Sequence, residues 1–291
     1  GREYEQFINE IRLLRKEATA YNNKPSDYVA RSTAILFNHE NAWSIERQKQ
    51  NATWNTMAHI EKYYRTLKSF GAPVDFITEE KDFNRYPVMI VPAYQLADEP
   101  LVSRWVDYVR KGGNLVVTCR TAQKDRYGRL PEAAFGSLIN GLTGNKMDFY
   151  DLLLPENPGT VVMDGKEYIW NTWGEILNSP ADAQIWATYK NEFYEGSPAV
   201  TFRKLGKGTI TYGGVDSHNG ALEKDILKKL YAQLNIPVMD LPYGVTMEYR
   251  NGLGIVLNYS DQPYAFNLPK GAKALIGTTN IPTAGVLVFS M

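Results

Sequence analysis

The sequence predicts an α/β protein with a doubly wound, mostly parallel sheet, followed by a small antiparallel β domain. Between residues 33 and 118, short continuous apolar runs alternate with segments of helical periodicity. This alternation is typical of a parallel sheet that is covered by helices on both faces. After Pro237, strand-like segments follow one another with only turn residues between them, which is typical of an antiparallel β domain.

The N-terminal and α/β segments are predicted from these periodicities. Residues 3–21 form an amphipathic helix, because Tyr4, Phe7, Ile11 and Leu14 recur at helical spacing. The predicted strands of the α/β part are 33–37, 74–77, 88–91 and 115–118, and its predicted helices are 54–67 and 101–110. The pattern weakens between 131 and 198, where only a helix at 133–140 and a strand at 184–189 are predicted. A β-hairpin over 198–213 and a helix over 221–234 complete this part.

The C-terminal segment predicts five short strands at 245–250, 254–259, 264–268, 272–276 and 286–289. A domain of roughly 50 residues lies near the lower limit for independent stability. We therefore expect it to depend on a neighbouring part of the protein.

Composition excludes several classes of protein. The 291 residues contain 32 Lys+Arg and 32 Asp+Glu, so the net charge is zero, and a general nucleic-acid binder would carry a basic excess. The single cysteine excludes an internal disulfide framework and a multi-cysteine zinc site. No apolar run approaches the ~20 residues of a membrane span. We expect no metal, no cofactor, no nucleic-acid partner and no membrane partner, and the sequence does not indicate a compartment.

Cys119 and His218 are the candidate catalytic residues, because each follows a predicted strand at its carboxyl end, where α/β proteins place functional groups. The order of the two strands resembles that of class I glutamine amidotransferases. A reactive thiol needs a glycine-flanked elbow and a base held by a carboxylate. Here Thr118 and Arg120 flank the cysteine, and no acidic residue follows His218 at the expected place. The sequence therefore favours a shared fold without the catalytic pair.

A series of motifs makes the resemblance more specific. The motifs that carry it are Ile35-Leu36-Phe37-Asn38-His39-Glu40-Asn41-Ala42-Trp43, Tyr63-Tyr64-Arg65-Thr66-Leu67, Gly71-Ala72-Pro73-Val74-Asp75, Val91-Pro92-Ala93-Tyr94 and Tyr108-Val109-Arg110-Lys111-Gly112-Gly113. In this order and spacing they resemble the trimerisation domain of the glycoside hydrolase family 42 β-galactosidases. The ending, with Lys273-Ala274-Leu275-Ile276-Gly277 and Gly285-Val286-Leu287-Val288, resembles the small C-terminal β domain of that family.

The resemblance implies a division of the chain and a role for it. Residues 1–28 would be the exit helix and linker of a catalytic barrel that the chain lacks, residues 29–237 an amidotransferase-like trimerisation domain, and residues 238–291 the C-terminal β domain. The parent would be a homotrimer that hydrolyses terminal β-D-galactosides with retention, by two glutamates in the barrel. No catalytic residue is then expected within this chain. The alternatives are a stand-alone thiol hydrolase that uses Cys119 and His218, or a carbohydrate-binding accessory module with its many aromatic residues.

Trp43 and Trp54 are the predicted interface residues. Both follow the first strand of the α/β part, where the resemblance implies that the domain faces its neighbours, and aromatic residues are enriched at such contacts. Trp54 also fits the buried stripe of the predicted helix 54–67. Burial within one subunit is therefore the equal alternative for Trp54, whereas Trp43 is the stronger prediction for a contact.

Overall fold

The computed structural model describes residues 2–20, 33–132, 136–250 and 252–290. Among these residues, the contacts divide the chain into two compact units. The larger unit comprises residues 33–67 and 74–237, and the smaller unit comprises residues 2–20, 68–73 and 238–290. None of the helices in the described part of the chain is both long and apolar enough to cross a membrane.

The helices, numbered along the chain, are α1 (Arg2–Ala20), α2 (His39–Arg47), α3 (Thr56–Ser69), α4 (Glu99–Arg110), α5 (Ser137–Thr143) and α6 (Ala221–Gln233). Side-chain caps fix two of their starts. The Asn38 side chain accepts a hydrogen bond from the Asn41 backbone N–H at the start of α2, and Asp98 accepts one from the Leu101 N–H at the start of α4. Each cap satisfies a donor that the first helical turn leaves without a partner.

The larger unit contains one sheet of eleven strands. They are β1 (Thr33–Leu36), β2 (Val74–Ile77), β3 (Val88–Val91), β4 (Asn114–Thr118), β5 (Lys146–Asp151), β6 (Gly159–Met163), β7 (Lys166–Asn178), β8 (Gln184–Lys190), β9 (Pro198–Leu205), β10 (Gly208–Gly213) and β11 (Val215–Ser217). Strands β2, β1, β3, β4 and β10 lie side by side in that order and pair in parallel. Every residue of β1, β3 and β4 is buried, which explains why these strands have continuous apolar sequences.

The other strands form an antiparallel extension of the sheet. From β10 the order continues through β9, β8, β6 and β7 to β11, and β5 pairs with β7. Apart from β8 and the hairpin of β9 and β10, this extension was not predicted. Strand β5 is mostly exposed and therefore has no apolar alternation to reveal it.

The smaller unit contains the predicted antiparallel β structure. Its strands are β12 (Val245–Arg250), β13 (Leu253–Asn258), β14 (Tyr264–Ala265), β15 (Lys273–Ile276), β16 (Asn280–Ile281) and β17 (Val286–Ser290). Strands β12, β13, β17 and β15 form one sheet, and β14 pairs with β16. Gly254 makes room for the core at Phe289, because a Cβ at residue 254 would lie 2.1 Å from that ring.

The predicted α/β unit with a parallel sheet, followed by a small antiparallel sheet, is confirmed. Three local predictions need correction. The nine-residue helix α2 was not predicted, and α3 begins at Thr56, so Trp54 precedes the helix instead of belonging to it. Helix α5 begins at Ser137, and residues 133–135 of the predicted helix lie outside the described residues. The part of the predicted helix and linker from residue 21 to residue 28 also lies outside them.

Candidate functional site

Cys119 follows β4 directly, at the carboxyl edge of the parallel strands. Its backbone N–H donates to the carbonyl of Gly213 over 2.8 Å, which extends the pairing of β4 with β10 by one residue. The side chain is completely buried. Burial raises the pKa of the thiol, and the nearby carboxylates of Glu175 and Asp216 raise it further. A thiol in this environment is a poor nucleophile near neutral pH.

In the turn after β4, the residues with positive φ are Arg120 and Ala122, and the cysteine is not one of them. Arg120 has a φ of 64°, in the left-handed region that a non-glycine residue rarely adopts. A nucleophile elbow uses a sharp, strained turn of this kind to present its reactive side chain. Here that place in the turn carries an arginine, one residue beyond the thiol, so the geometry does not present Cys119 to a substrate.

The Arg120 side chain points into the protein and holds the segment between α2 and α3. Its guanidinium lies between the rings of Trp54 and Trp173, at 4.5 and 4.3 Å from their centroids. It donates hydrogen bonds to the Lys49 carbonyl at 2.9 Å and to Gln50 Oε1 at 3.0 Å. Arg120 therefore connects the carboxyl end of β4 to the segment after α2.

Glu175 on β7 is a second buried residue that contacts the turn after β4. Its Oε1 accepts hydrogen bonds from the backbone N–H of Arg120, from Gln123 and from the indole N–H of Trp173, and its Oε2 accepts one from Tyr212. Burial raises the pKa of Glu175, and the hydrogen bonds oppose that rise. The carboxylate is thus surrounded by protein donors, so it has no open side toward a substrate.

The second candidate, His218, lies in a different environment. It follows β11, whose antiparallel partner is β7 and which is not one of the parallel strands. Its backbone N–H donates to the Ile169 carbonyl, and the residue is exposed. An exposed imidazole and a fully buried thiol do not make a catalytic pair, so the geometry does not favour the thiol-hydrolase alternative.

A buried polar network that the sequence did not predict lies next to Cys119. His59 Nδ1 is 2.7 Å from Asp216 Oδ1, and His59 Nε2 is 2.9 Å from Thr118 Oγ1. Thr118 Oγ1 also accepts the backbone N–H of Ala93 at 2.7 Å. The three side chains have the order of a hydroxyl–imidazole–carboxylate triad, but His59 and Thr118 are at most 1% exposed. The network therefore links α3, β4 and β11 and offers no accessible hydroxyl nucleophile.

Lys62 completes this network. Its Nζ lies 2.7 Å from Asp216 Oδ1 and also donates to the Ser217 carbonyl. Burial works to raise the pKa of Asp216, but its hydrogen bonds with His59 and Lys62 outweigh burial, and the pKa lies below its ordinary value. Burial in turn works to lower the pKa of Lys62, but the charges of Asp216 and Glu223 outweigh that effect and raise it.

Trp54 and Trp43, the predicted interface residues, have opposite exposures. Trp54 is 1% exposed; its ring packs against Trp173 and its indole N–H donates to Thr56 Oγ1. In this structure Trp54 belongs to the interior of the unit, which is the alternative that the sequence left open for it. Trp43 is 60% exposed on the outer face of α2, whose buried residues are Asn41, Ala42 and Ile45.

The geometry of the carboxyl edge does not identify a function, but comparison with known sequences identifies the family of the chain. Residues 31–242 match the β-galactosidase trimerisation domain of glycoside hydrolase family 42, and residues 244–291 match the β-galactosidase C-terminal domain of that family. The first match alone covers more than half of the chain. The chain belongs to this family.

Relatives of this family 42 chain are β-galactosidases. It is 27% identical over 258 residues to β-galactosidase BgaH of Haloferax lucentense, covering 88% of this chain and 38% of the relative. It is 31% identical over 182 residues to β-galactosidase LacA of Lactobacillus acidophilus, covering 62% of this chain and 27% of the relative.

Solved structures show the same fold. The polyextremophilic β-galactosidase of Halorubrum lacusprofundi superposes with a TM-score of 0.83 at 24% identity, over 92% of this chain and 41% of that protein. The β-galactosidase of Bacillus circulans sp. alkalophilus superposes with a TM-score of 0.79 at 21% identity, over 89% and 41%. The family 42 chain thus spans about 40% of the length of such relatives.

The residues that sequence reasoning missed share one property. His59 and Asp216 are 157 positions apart, and Arg120 and Gln50 are 70 apart, so only the tertiary fold brings each pair together. The available signal was only the presence of a histidine within the predicted helix 54–67, and its burial follows from the structure. No group of three His, Cys, Asp or Glu side chains that could hold a metal ion occurs in the part of the family 42 chain that the structure describes.

Proposed function

We propose that this chain supplies subunit contacts in a trimeric β-galactosidase whose catalytic glutamates lie in another part of the same protein. The observation that most supports this proposal is that the two family 42 domain matches, 31–242 and 244–291, cover nearly the whole chain. The parent reaction would be retaining hydrolysis of terminal β-D-galactosides, in which one glutamate protonates the leaving oxygen and the other forms the glycosyl-enzyme.

The proposed division is a helix and linker at 1–28, an assembly domain at 29–237 and a C-terminal β domain at 238–291. The apolar stripe of α1 is exposed, since Tyr4, Phe7 and Leu14 are 73%, 59% and 62% exposed. This exposure supports the proposal that the helix packs against another part of the parent protein. Such a stripe is stabilised when another apolar surface covers it. We assign that surface to the catalytic barrel of the parent.

The assembly domain is proposed to share the fold of class I glutamine amidotransferases without their chemistry. The position of Cys119 after a central parallel strand supports this relationship. The buried thiol, the arginine at the strained position and the exposed His218 support the loss of the catalytic pair.

Sedimentation velocity on the natural full-length protein tests the assembly role, and hydrolysis of an aryl β-galactoside tests the activity. We expect a trimer at micromolar concentration and turnover of the β-anomer but not of the α-anomer. A full-length protein that stays monomeric would contradict the assembly role, and a trimer without β-galactosidase turnover would contradict the assigned reaction.

Trp43 is the proposed contact residue, and Trp43→Ala tests it. A central interface tryptophan typically contributes ~2 kcal/mol or more to association, so we expect at least about 30-fold weaker assembly. Tyr127→Ala is the matched control, since Tyr127 is an aromatic residue of the same unit that is 85% exposed. An unchanged trimer in the Trp43 variant would exclude this residue from the contact.

A further inference from the structure

The larger unit has a row of aromatic rings beside its edge strand. The rings contact one another in the order Tyr64, Phe76, Phe37, His39 and Trp43, with centroids 5.1–6.3 Å apart. They come from α3, β2, the end of β1 and α2, and β2 is the last strand of the sheet on this side. Trp43 is 60% exposed and Phe76 is 51% exposed. We call these five residues the aromatic row.

A second exposed aromatic surface lies on the antiparallel extension of the sheet. Phe149 on β5 and Phe193 in the turn after β8 stack with their rings 5.6 Å apart and nearly parallel, at 8°. Phe193 is 86% exposed and Phe149 is 39% exposed. Tyr194 packs edge-on against both rings, and its hydroxyl donates to Asp151 over 2.8 Å, which holds the pair in place. We call Phe149 and Phe193 the phenylalanine platform.

The two surfaces match in size. Aromatic side chains have about 150–250 Å² of surface each. On that scale the exposed fractions of Trp43 and Phe76 amount to roughly 200 Å², and those of Phe149 and Phe193 to roughly the same. A stable interface buries about 800 Å² on each partner. Each surface is therefore large enough for the apolar centre of one interface, surrounded by a polar rim.

The symmetry of a trimer requires two different surfaces. A two-fold dimer joins a patch to its own copy, whereas a closed ring of three subunits joins one patch of each subunit to a different patch of the next. Self-pairing of the platform is also disfavoured by charge, because Glu192 and Glu195 lie in the same turn as Phe193 and would come close to their own copies. Beside the aromatic row, α2 places one residue of each charge, the exposed Glu40 one turn before Trp43 and the exposed Arg47 one turn after it. A contact between row and platform thus avoids the repulsion between acidic residues that a self-paired platform would bring.

We propose that the aromatic row of one copy packs on the phenylalanine platform of the next copy, in a head-to-tail ring. The partner is a second copy of this chain, and the inference rests on the proposed assembly function. The proposed function names only Trp43 as a contact residue, whereas this pairing identifies Phe149 and Phe193 as the surface that Trp43 meets on the next subunit.

A complementation experiment on the natural full-length protein tests the pairing. Trp43→Asp breaks the row and leaves the platform intact, and Phe193→Asp does the reverse. Each variant alone should lose the trimer, with association weakened at least about 30-fold. Mixed in equal amounts, the two variants retain one intact contact, between the row of the Phe193 variant and the platform of the Trp43 variant. The mixture should therefore give one-to-one dimers that do not close into trimers, as measured by sedimentation and native mass spectrometry with one variant mass-tagged.

The controls separate the pairing from the assembly function. Tyr127→Asp changes an aromatic residue of the same unit that is 85% exposed, and this variant should remain a trimer. Because Phe193 and Trp43 are mostly exposed, both variants should remain folded, with circular dichroism spectra like that of the wild type. Their unfolding midpoints should fall only by the stability that assembly adds to the wild type. A monomeric wild type would overturn the assembly function itself. A wild-type trimer with an unaffected Phe193 variant, or two monomeric variants that form no mixed dimer, would overturn the pairing alone.

Discussion

Arg120→Lys tests whether Arg120 attaches the segment between α2 and α3 to the carboxyl end of β4. The lysine keeps the positive charge but lacks the planar fork that bonds the Lys49 carbonyl and Gln50 Oε1 at once. It also stacks less well than a guanidinium between Trp54 and Trp173. We therefore expect the segment between α2 and α3 to lose its main attachment to the sheet.

The expected loss is about 3 kcal/mol of unfolding free energy. Each charge-assisted hydrogen bond contributes roughly 1.5–3 kcal/mol and each cation–π contact about 1 kcal/mol. Burial lowers the pKa of Arg120 to about 10, so desolvation of the guanidinium offsets a part of these contributions. Since an ammonium costs more to desolvate than a guanidinium, the lysine variant retains this penalty while losing the contacts.

Urea unfolding and hydrogen exchange measure this effect together. The fluorescence of Trp54 and Trp173 reports the environment of residue 120 directly, and backbone amides at 48–54 should exchange faster in the variant. Arg203→Lys is the control, because Arg203 makes a half-exposed ion pair with Asp182 that should contribute less than about 1 kcal/mol. If Arg120→Lys stays within about 0.5 kcal/mol of the wild type and exchange at 48–54 is unchanged, the anchor is refuted.

Three further predictions concern the same part of the molecule. Cys119 should react with iodoacetamide only after unfolding, because burial raises its thiol pKa; rapid alkylation of the folded protein near neutral pH, lost in His218→Ala, would support the thiol-hydrolase alternative instead. The folded-state pKa of Asp216 lies below the ordinary value of 3.8, so its contribution to stability is present above that pH and is lost as the pH falls below it. Asp216→Asn should thus be less stable than the wild type at pH 7 and show a smaller loss of stability in acid, and equal acid slopes in the two proteins would contradict this. The 291-residue chain should not hydrolyse an aryl β-galactoside, and turnover that disappears when one of its own glutamates is replaced would show that the active site lies within it.

The parallel strands could be predicted from the sequence because a strand that is buried on both faces consists mainly of consecutive apolar residues. Thr33–Leu36, Val88–Val91 and Asn114–Thr118 are buried at every position, so each has an apolar run of three or four residues. Strand β5 has four exposed positions among six, and α2 buries three of its nine residues. Elements of this kind leave no clear periodicity, and both were missed.

The candidate site was only partly predictable for a different reason. Sequence order placed Cys119 and His218 after strands, but it could not show that β11 pairs with β7 in the antiparallel extension. The positive φ angles of Arg120 and Ala122 in the turn could not be predicted either, because these residue types give no signal for that conformation, whereas a glycine would. For Trp54 the sequence left burial and contact equally open, and the interior position follows from packing against Trp173.

The buried polar groups at the carboxyl edge also explain why this edge does not present a binding site. Burying His59, Lys62, Asp216 and Glu175 costs desolvation energy that only complete pairing offsets. Here each group is paired with another protein group, including backbone N–H and C=O groups that a ligand-binding crevice would leave open. An edge closed in this way stabilises the fold but cannot also bind a substrate, since a substrate would have to displace those bonds. The exposed aromatic residues on α2, β2 and β5 are not under that constraint, and removing their apolar surfaces from water would stabilise the subunit contact that we propose.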